Sequence, residues 1–135
     1  MKAMISARNF AEFIIFPFLI TDDFKNSKSQ KNERIGDMVS IGKLEPTEYT
    51  LKAFLPNKEH KKMALGSKAD PQYYIDWLER LRGDEIPLRL IVIENDEEIV
   101  NTPIVINDCD IDKIKSGTYI TLDISEFRFK NVRAL

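Results

Sequence analysis

The stretch that most constrains this chain is residues 70–94, DPQYYIDWLERLRGDEIPLRLIVIE. Asp70 suits a helix N-cap, because its carboxylate can accept an unpaired N–H of the first turn. Pro71 suits the first helical position, where no N–H is needed and φ is already set. Tyr74, Trp77, Leu78 and Leu81 recur at i, i+3, i+4 and i+7, which makes one apolar stripe. Asp76 and Arg80 fall four apart on the polar side, spaced to pair. Gly83 can take the left-handed conformation that ends a helix, and Pro87 blocks a restart. Residues 88–93 are apolar on both strand faces, which places a strand inside a sheet covered on each side. The pattern predicts a helix over 71–82 lying across a sheet whose middle strand is 88–94. Trp77 would be its largest anchor, burying on the order of 200 Å².

A chain of 135 residues is one domain, large enough for a real core. With 43% hydrophobic and 31% charged residues it reads as an ordinary globular protein. A net charge of −2 argues against a dedicated nucleic-acid binder, which carries a basic excess. A single cysteine, Cys109, excludes an internal disulfide and most zinc sites, and suits a reducing compartment. A single histidine, His60, removes His-clustered metal sites.

Residues 10–20, FAEFIIFPFLI, resemble a targeting segment at first sight. They are about half the length needed to span a bilayer, Glu12 and Pro17 interrupt them, and no small-x-small cleavage site follows. They read as a buried strand or a short helix kinked at Pro17. Phe10, Phe13 and Phe16 are the candidate partner contacts, since an exposed aromatic patch on a globular protein marks an interface. Residues 22–34 are a polar, lysine-rich loop or edge strand. Gly36 and Gly42 bracket a short strand, a turn follows over 43–46, and residues 49–55 alternate as a half-buried strand.

Residues 57–69 form a long connection carrying Lys58, His60, Lys61, Lys62 and Lys68. It reads as a solvated loop or, alternatively, as a phosphate-contacting one; aromatics are not interleaved as single-strand binding requires. A hairpin turn is predicted at 95–97, then a return strand over 99–106 in which Pro103 suggests an edge or a bulge. Asp108, Asp110 and Asp112 have calcium-loop spacing, but Lys113 stands where that loop needs glycine and Tyr119 where it needs glutamate. In a strand, the same spacing puts three carboxylates on one solvated face, with Cys109 and Ile111 opposite. Residues 115–117 turn into a final strand over 118–129. Ile120, Leu122 and Ile124 share a face, Phe127 and Phe129 have the other parity, and the pattern therefore predicts at 125–126 a bulge or, alternatively, a switch of the strand from one sheet to another. Glu126 and Arg128 would hold that bulge as structural residues.

No phosphate loop or nucleophile elbow occurs, and the paired carboxylates sit at predicted turns where nothing would desolvate them. Arg80 and Arg82 are expected to pair with Asp76 and Glu79. The chain reads as a non-enzyme with no metal, cofactor or small-molecule substrate. The expected fold class is α+β, mainly β: an antiparallel β-sandwich or small barrel with one packed helix.

Several segments together carry a resemblance. They are IGDMVSIGKLEP (35–46), YTLKAFLP (49–56), the P-x-x-x-x-x-W helix, PLRLIVIE (87–94), INDCDI (106–111) and GTYITLDISEFR (117–128). The chain resembles the N-terminal domain of the LysM-bearing tail and baseplate proteins of contractile phages and PBSX-type defective prophages. The last segment is the most specific, through Gly117, Thr118, Leu122, Glu126, Phe127 and Arg128. The likeness implies a structural part that joins tail tube or hub to baseplate, contacting other tail proteins in multiple copies around a ring. It also implies residence in the bacterial host cytoplasm during assembly and then in the virion tail or tail-like particle, with no membrane or nucleic acid involved. Family members continue into a LysM domain, whereas residues 1–135 read as a single domain without one. The competing reading is a small nucleic-acid-binding module that uses the basic loop between Lys58 and Lys68.

Overall fold

The computed structural model describes residues 1–20, 47–82 and 87–127. The strands expected between Gly36 and Gly42, the loop over 22–34, the turn at 43–46, Gly83, Arg128 and Phe129 lie outside them. The described elements are seven strands, β1 (Lys2–Ala7), β2 (Glu12–Ile15), β3 (Phe18–Leu19), β4 (Glu48–Pro56), β5 (Leu88–Glu94), β6 (Glu97–Ile114) and β7 (Gly117–Glu126), with one helix, α1 (Pro71–Arg82). All pairings are antiparallel, in the order β2-β1-β5-β6-β7-β4-β3. The fold is α+β and mainly β.

The two outermost strands, β2 and β3, are consecutive in the chain, with only Phe16 and Pro17 between them. A connection that short forces the sheet to roll until its edges approach each other. The Phe16 N–H donates to the Ala3 carbonyl at 3.1 Å. The edges do not pair, so there is one rolled, unclosed sheet, a form lying between the expected sandwich and barrel. Residues 10–20 accordingly form a turn, a strand, a two-residue break and a strand, and not a helix.

Alternation along the strands puts one side chain set on the concave face. Ala3 and Ile5 of β1, Leu51 and Leu55 of β4, Leu90 and Val92 of β5, and Ile120 and Leu122 of β7 are all buried there. Onto this face α1 delivers Tyr74, Trp77, Leu78 and Leu81, the stripe set by its sequence period. Asp70 caps the helix through its Oδ1, which accepts the Tyr73 N–H at 3.3 Å. β5 is interior, and both Leu90 and Ile91 are buried, as a strand apolar on two faces requires.

Asn95 and Asp96, with φ of 53° and 65°, form the β5–β6 turn, a left-handed pair that Asn and Asp tolerate. The β6–β7 turn is held by Asn57, whose N–H and Nδ2 donate to the carbonyls of Ser116 and Lys115, both at 3.0 Å.

Three sequence expectations need correction. Pro103 is not on an edge: it sits inside β6, opposite Arg89, where its carbonyl accepts the Phe127 N–H at 2.8 Å. A residue's N–H and C=O point to the same neighbour, so the donor that proline lacks would face the place where β7 has already ended. The bulge is not at Ser125–Glu126. β7 pairs regularly through both residues, and the extra residue is Asn107 on β6, between Ile106 and Asp108. Finally, Arg80 extends beyond its own helix: its Nη2 donates to Glu12 Oε1 of β2 at 2.6 Å, while Asp76 accepts from Gln72 Nε2 at 2.8 Å. Arg82 Nη2 donates to the Asn107 carbonyl at 3.4 Å. The helix thus bridges from β2 to the bulge in β6.

Candidate docking surfaces

The three phenylalanines of the first hairpin do not form one surface. Phe16 shares the inward parity of Ile14 and is 1% exposed, stacked on Tyr74 with ring centroids 5.9 Å apart. Phe13 has the opposite parity and is 50% exposed. Phe10 lies in the β1–β2 turn and is 49% exposed. That turn holds Arg8, Asn9 and Phe10 all at positive φ (54°, 59° and 67°), a run that costs energy for residues with a Cβ. The candidate contact set reduces to Phe10 and Phe13, and Phe16 is core.

The basic loop between β4 and α1 has a structural task. It seals the seam between β2 and β3. The Ala64 N–H donates to the Pro17 carbonyl at 3.0 Å, and the Tyr74 hydroxyl donates to the Ile15 carbonyl at 2.6 Å while accepting the Lys68 N–H at 2.9 Å. Gly66 adopts φ +91°, and a Cβ there would lie 2.9 Å from Ile15 Cδ1. The His60 ring meets Phe18 edge-on at 5.6 Å, and Lys68 Nζ sits 4.8 Å over the Tyr73 ring. Burial pushes the Tyr74 hydroxyl up to about 12, opposed in part by its bond to the Lys68 N–H.

The described residues among those that carry the resemblance lie mostly in the sheet strands and in α1. Trp77 is buried in the core beneath α1. Gly117 pairs with Pro56 at the end of β4; a Cβ would strike the Leu55 carbonyl and come within 2.6 Å of Phe54 Cζ. Thr118 and Leu122 are buried. Glu126, at the end of β7, joins the start of β4 to the interior of β6: Oε1 accepts the Thr47 N–H at 3.1 Å, Oε2 accepts from Thr102 Oγ1 at 3.4 Å, and its own N–H donates to the Thr47 carbonyl at 2.8 Å. Phe127 is half-buried just past the strand.

The other shifted groups are scattered. The Arg80 hydrogen bond holds the Glu12 carboxyl below its ordinary range, with Arg8 Nη1 at 3.8 Å adding to the effect. Burial raises the Tyr49 hydroxyl, with the Glu126 charge as a second cause, and burial raises the Cys109 thiol. A groove of about 260 Å³ opens between the start of α1 and the β6–β7 turn, lined by Asp70, Gln72, Ile75, Lys113, Ile114 and neighbours. Its carboxylate, Asp70, is already the helix cap. Among the described residues no three His, Cys, Asp or Glu side chains are grouped to hold a metal ion. No described helix is long and apolar enough to cross a membrane.

The carboxylate face read for Asp108, Asp110 and Asp112 is present in the outer half of β6, and what sequence reasoning missed there is the bulge and the flank beyond it. β5 pairs with β6 only as far as Ile104, so among the described residues β7 is the only strand that pairs with 105–114. Asp108, Asp110 and Asp112 line the convex face there, opposite Asp123, Thr121 and Tyr119. The signal was available: apolar parity is even at Ile104 and Ile106 but odd at Cys109 and Ile111. No protein-family model matches the sequence, and no curated protein matches it.

Proposed function

We propose that this chain is a structural assembly protein of a contractile phage tail or tail-like particle, joining tube or hub to baseplate by surface complementarity. The observation that carries the reading is the placement of the described residues of this segment, 117–127. Gly117 and Glu126 stand at the two ends of β7 with Leu122 buried between them; Gly117 borders the groove beside α1, and the three do not converge on it. A segment of that kind specifies a scaffold, and a scaffold acts through the surfaces it displays. The shifted groups agree with this: Glu12, Tyr49, Tyr74 and Cys109 each answer to a local structural cause and do not converge. On this reading the chain acts without catalysis, beside other tail proteins in a ring, first in the bacterial host cytoplasm and then in the particle.

The basic-loop alternative draws less support, because the loop backbone is committed to the seam and Lys68 to Tyr73. Titration with labelled single- and double-stranded DNA at low salt addresses it, since phosphate contacts would weaken steeply as salt rises. The primary test is genetic. Tail particles purified from the producing strain should contain this protein, and a strain lacking it should yield incomplete tails. Complete tails of normal infectivity from that strain would overturn the proposal.

A further inference from the structure

The backbone hydrogen bonds at the two ends of β7 fix which groups of β6 point outward. The Asn57 N–H bonds the Ser116 carbonyl and the Glu126 N–H bonds the Thr47 carbonyl, so even-numbered residues of β7 face β4. Odd-numbered residues of β7, from Gly117 to Asp123, therefore face β6. Their partners Asp108, Asp110, Asp112 and Ile114 face back, leaving Cys109, Ile111 and Lys113 to direct N–H and C=O away from the sheet. The Cys109 N–H is already bonded by Asp108 Oδ1 at 2.9 Å, which confirms its outward direction. At one end Arg82 covers the Asn107 carbonyl. Beyond these two caps, on the side toward the β6–β7 turn, no described strand pairs with the edge, which is centred on Ile111.

The side chains define what can pair there. On the concave side Ile111 is 38% exposed, although Ile120 opposite it is fully buried, because no described strand lies beyond. On the convex side Asp108 stands directly opposite Asp123, a like-charge pair that destabilises a sheet, with Asp110 and Asp112 in line. Among the described residues none of these four carboxylates has an ion pair. A second copy paired edge to edge would stack two such acidic rows on one face. A strand with alternating character would instead complete the site, its apolar residues covering Ile111 and its Lys or Arg residues meeting the aspartates.

We propose that the open half of β6, centred on Ile111, receives a strand from a partner protein that alternates basic and apolar residues. This deepens the assembly reading by naming the surface and the partner's chemistry, and it rests on that reading only for the existence of a partner.

The probe is a capped, fluorescent eight-residue peptide alternating lysine and valine, with a control of the same composition whose lysines are in one block. Anisotropy should show the alternating peptide binding about tenfold more tightly than the control or better. Hydrogen exchange at the Ile111 and Lys113 amides should slow in its presence. Ile111→Pro removes an N–H that β7 does not use, so the fold should persist while binding falls about tenfold or more. Asp110→Lys should weaken binding comparably without touching the backbone. Equal binding of the two peptides, or wild-type binding by Asp110→Lys, overturns the proposal. So does a dimer of the chain alone that Ile111→Pro converts to monomer, which would make a second copy the occupant. If the protein copurifies with tails and the Ile111→Pro chain assembles normally, this proposal falls while the assembly reading stands.

Discussion

The Tyr74 hydroxyl of α1 and the Ile15 carbonyl of β2, 59 residues apart in the chain, are joined by a 2.6 Å hydrogen bond. The same oxygen accepts the Lys68 N–H, so one phenol ties the helix, an edge strand and the loop between them. Tyr74→Phe would leave both backbone groups without a partner, at a cost of about 1–3 kcal/mol, readable as a lower denaturant midpoint. A raised folded pKa means that the neutral phenol is favoured in the folded state. Stability from this group is full below the unfolded value near 10.0 and is lost as pH rises toward about 12. Absorbance titration should show one late-ionising tyrosine in the wild type that is absent from Tyr74→Phe.

Glu12 and Arg80 offer the complementary case. The folded pKa is lowered, so the contribution is present above the ordinary value of 4.5 and is lost as pH falls through the folded value. Both side chains are substantially solvated, so salt should weaken the effect. Arg80→Ala should move the Glu12 carboxyl back up toward its ordinary value, measured by carboxyl-carbon NMR titration. An unchanged Glu12 midpoint in that variant would show that the pair does not form in solution.

Helix α1 was legible because every signal agreed: cap, Pro71, stripe and length all coincide in residues 70–82. The strands were legible where alternation was clean, in β4 and β7. What escaped was set by contacts between distant residues. Arg80 was expected to use Asp76 four residues away, but rolling the sheet carries Glu12 to it from 68 residues away. The parity argument was sound and was applied to the wrong strand. Phe127 changes parity because β7 has ended, whereas the change from Ile106 to Cys109 lies within a continuous strand and marks the bulge. Phe16 was grouped with Phe10 and Phe13 by spacing, and the alternation of a strand separates them.

The two described glycines at close approaches should respond differently to alanine. At Gly117 the obstacle includes the Leu55 backbone, which cannot swing aside, and the Phe54 ring packed on Tyr119 at 4.9 Å. Gly117→Ala should destabilise by roughly 1–3 kcal/mol or somewhat more by overpacking. At Gly66 the near atom is the end of Ile15, which can move, and the cost is chiefly that of a Cβ at positive φ, roughly 1–2 kcal/mol. Thermal melts of the two variants should rank Gly117→Ala lower.

Trp77 reports on the fit of α1 against the concave face. It is the sole tryptophan and is 6% exposed, so its emission should be blue-shifted and resistant to aqueous quenchers. Trp77→Ala removes a large buried ring from a close-packed core and should cost about 3–5 kcal/mol. Melting indistinguishable from the wild type would mean that the helix is not seated through this residue.

Glu126 separates hydrogen bonding from charge. Glutamine can keep both contacts, its carbonyl accepting the Thr47 N–H and its amide donating to Thr102 Oγ1, so Glu126→Gln should cost little, under about 1 kcal/mol. Alanine removes the acceptor for the Thr47 N–H at the start of β4 and should cost about 1–3 kcal/mol. The two variants share one further consequence. The Glu126 charge is the lesser cause of the raised Tyr49 pKa, with burial the greater. Glu126→Gln should therefore lower the Tyr49 midpoint without returning it to the ordinary value, because the burial persists. The alkaline loss of stability from this group should begin at the same pH and be smaller, since it runs only from the unfolded to the folded tyrosine pKa and that interval narrows. A Tyr49 midpoint that does not move in Glu126→Gln would place the carboxylate elsewhere than between Thr47 and Thr102.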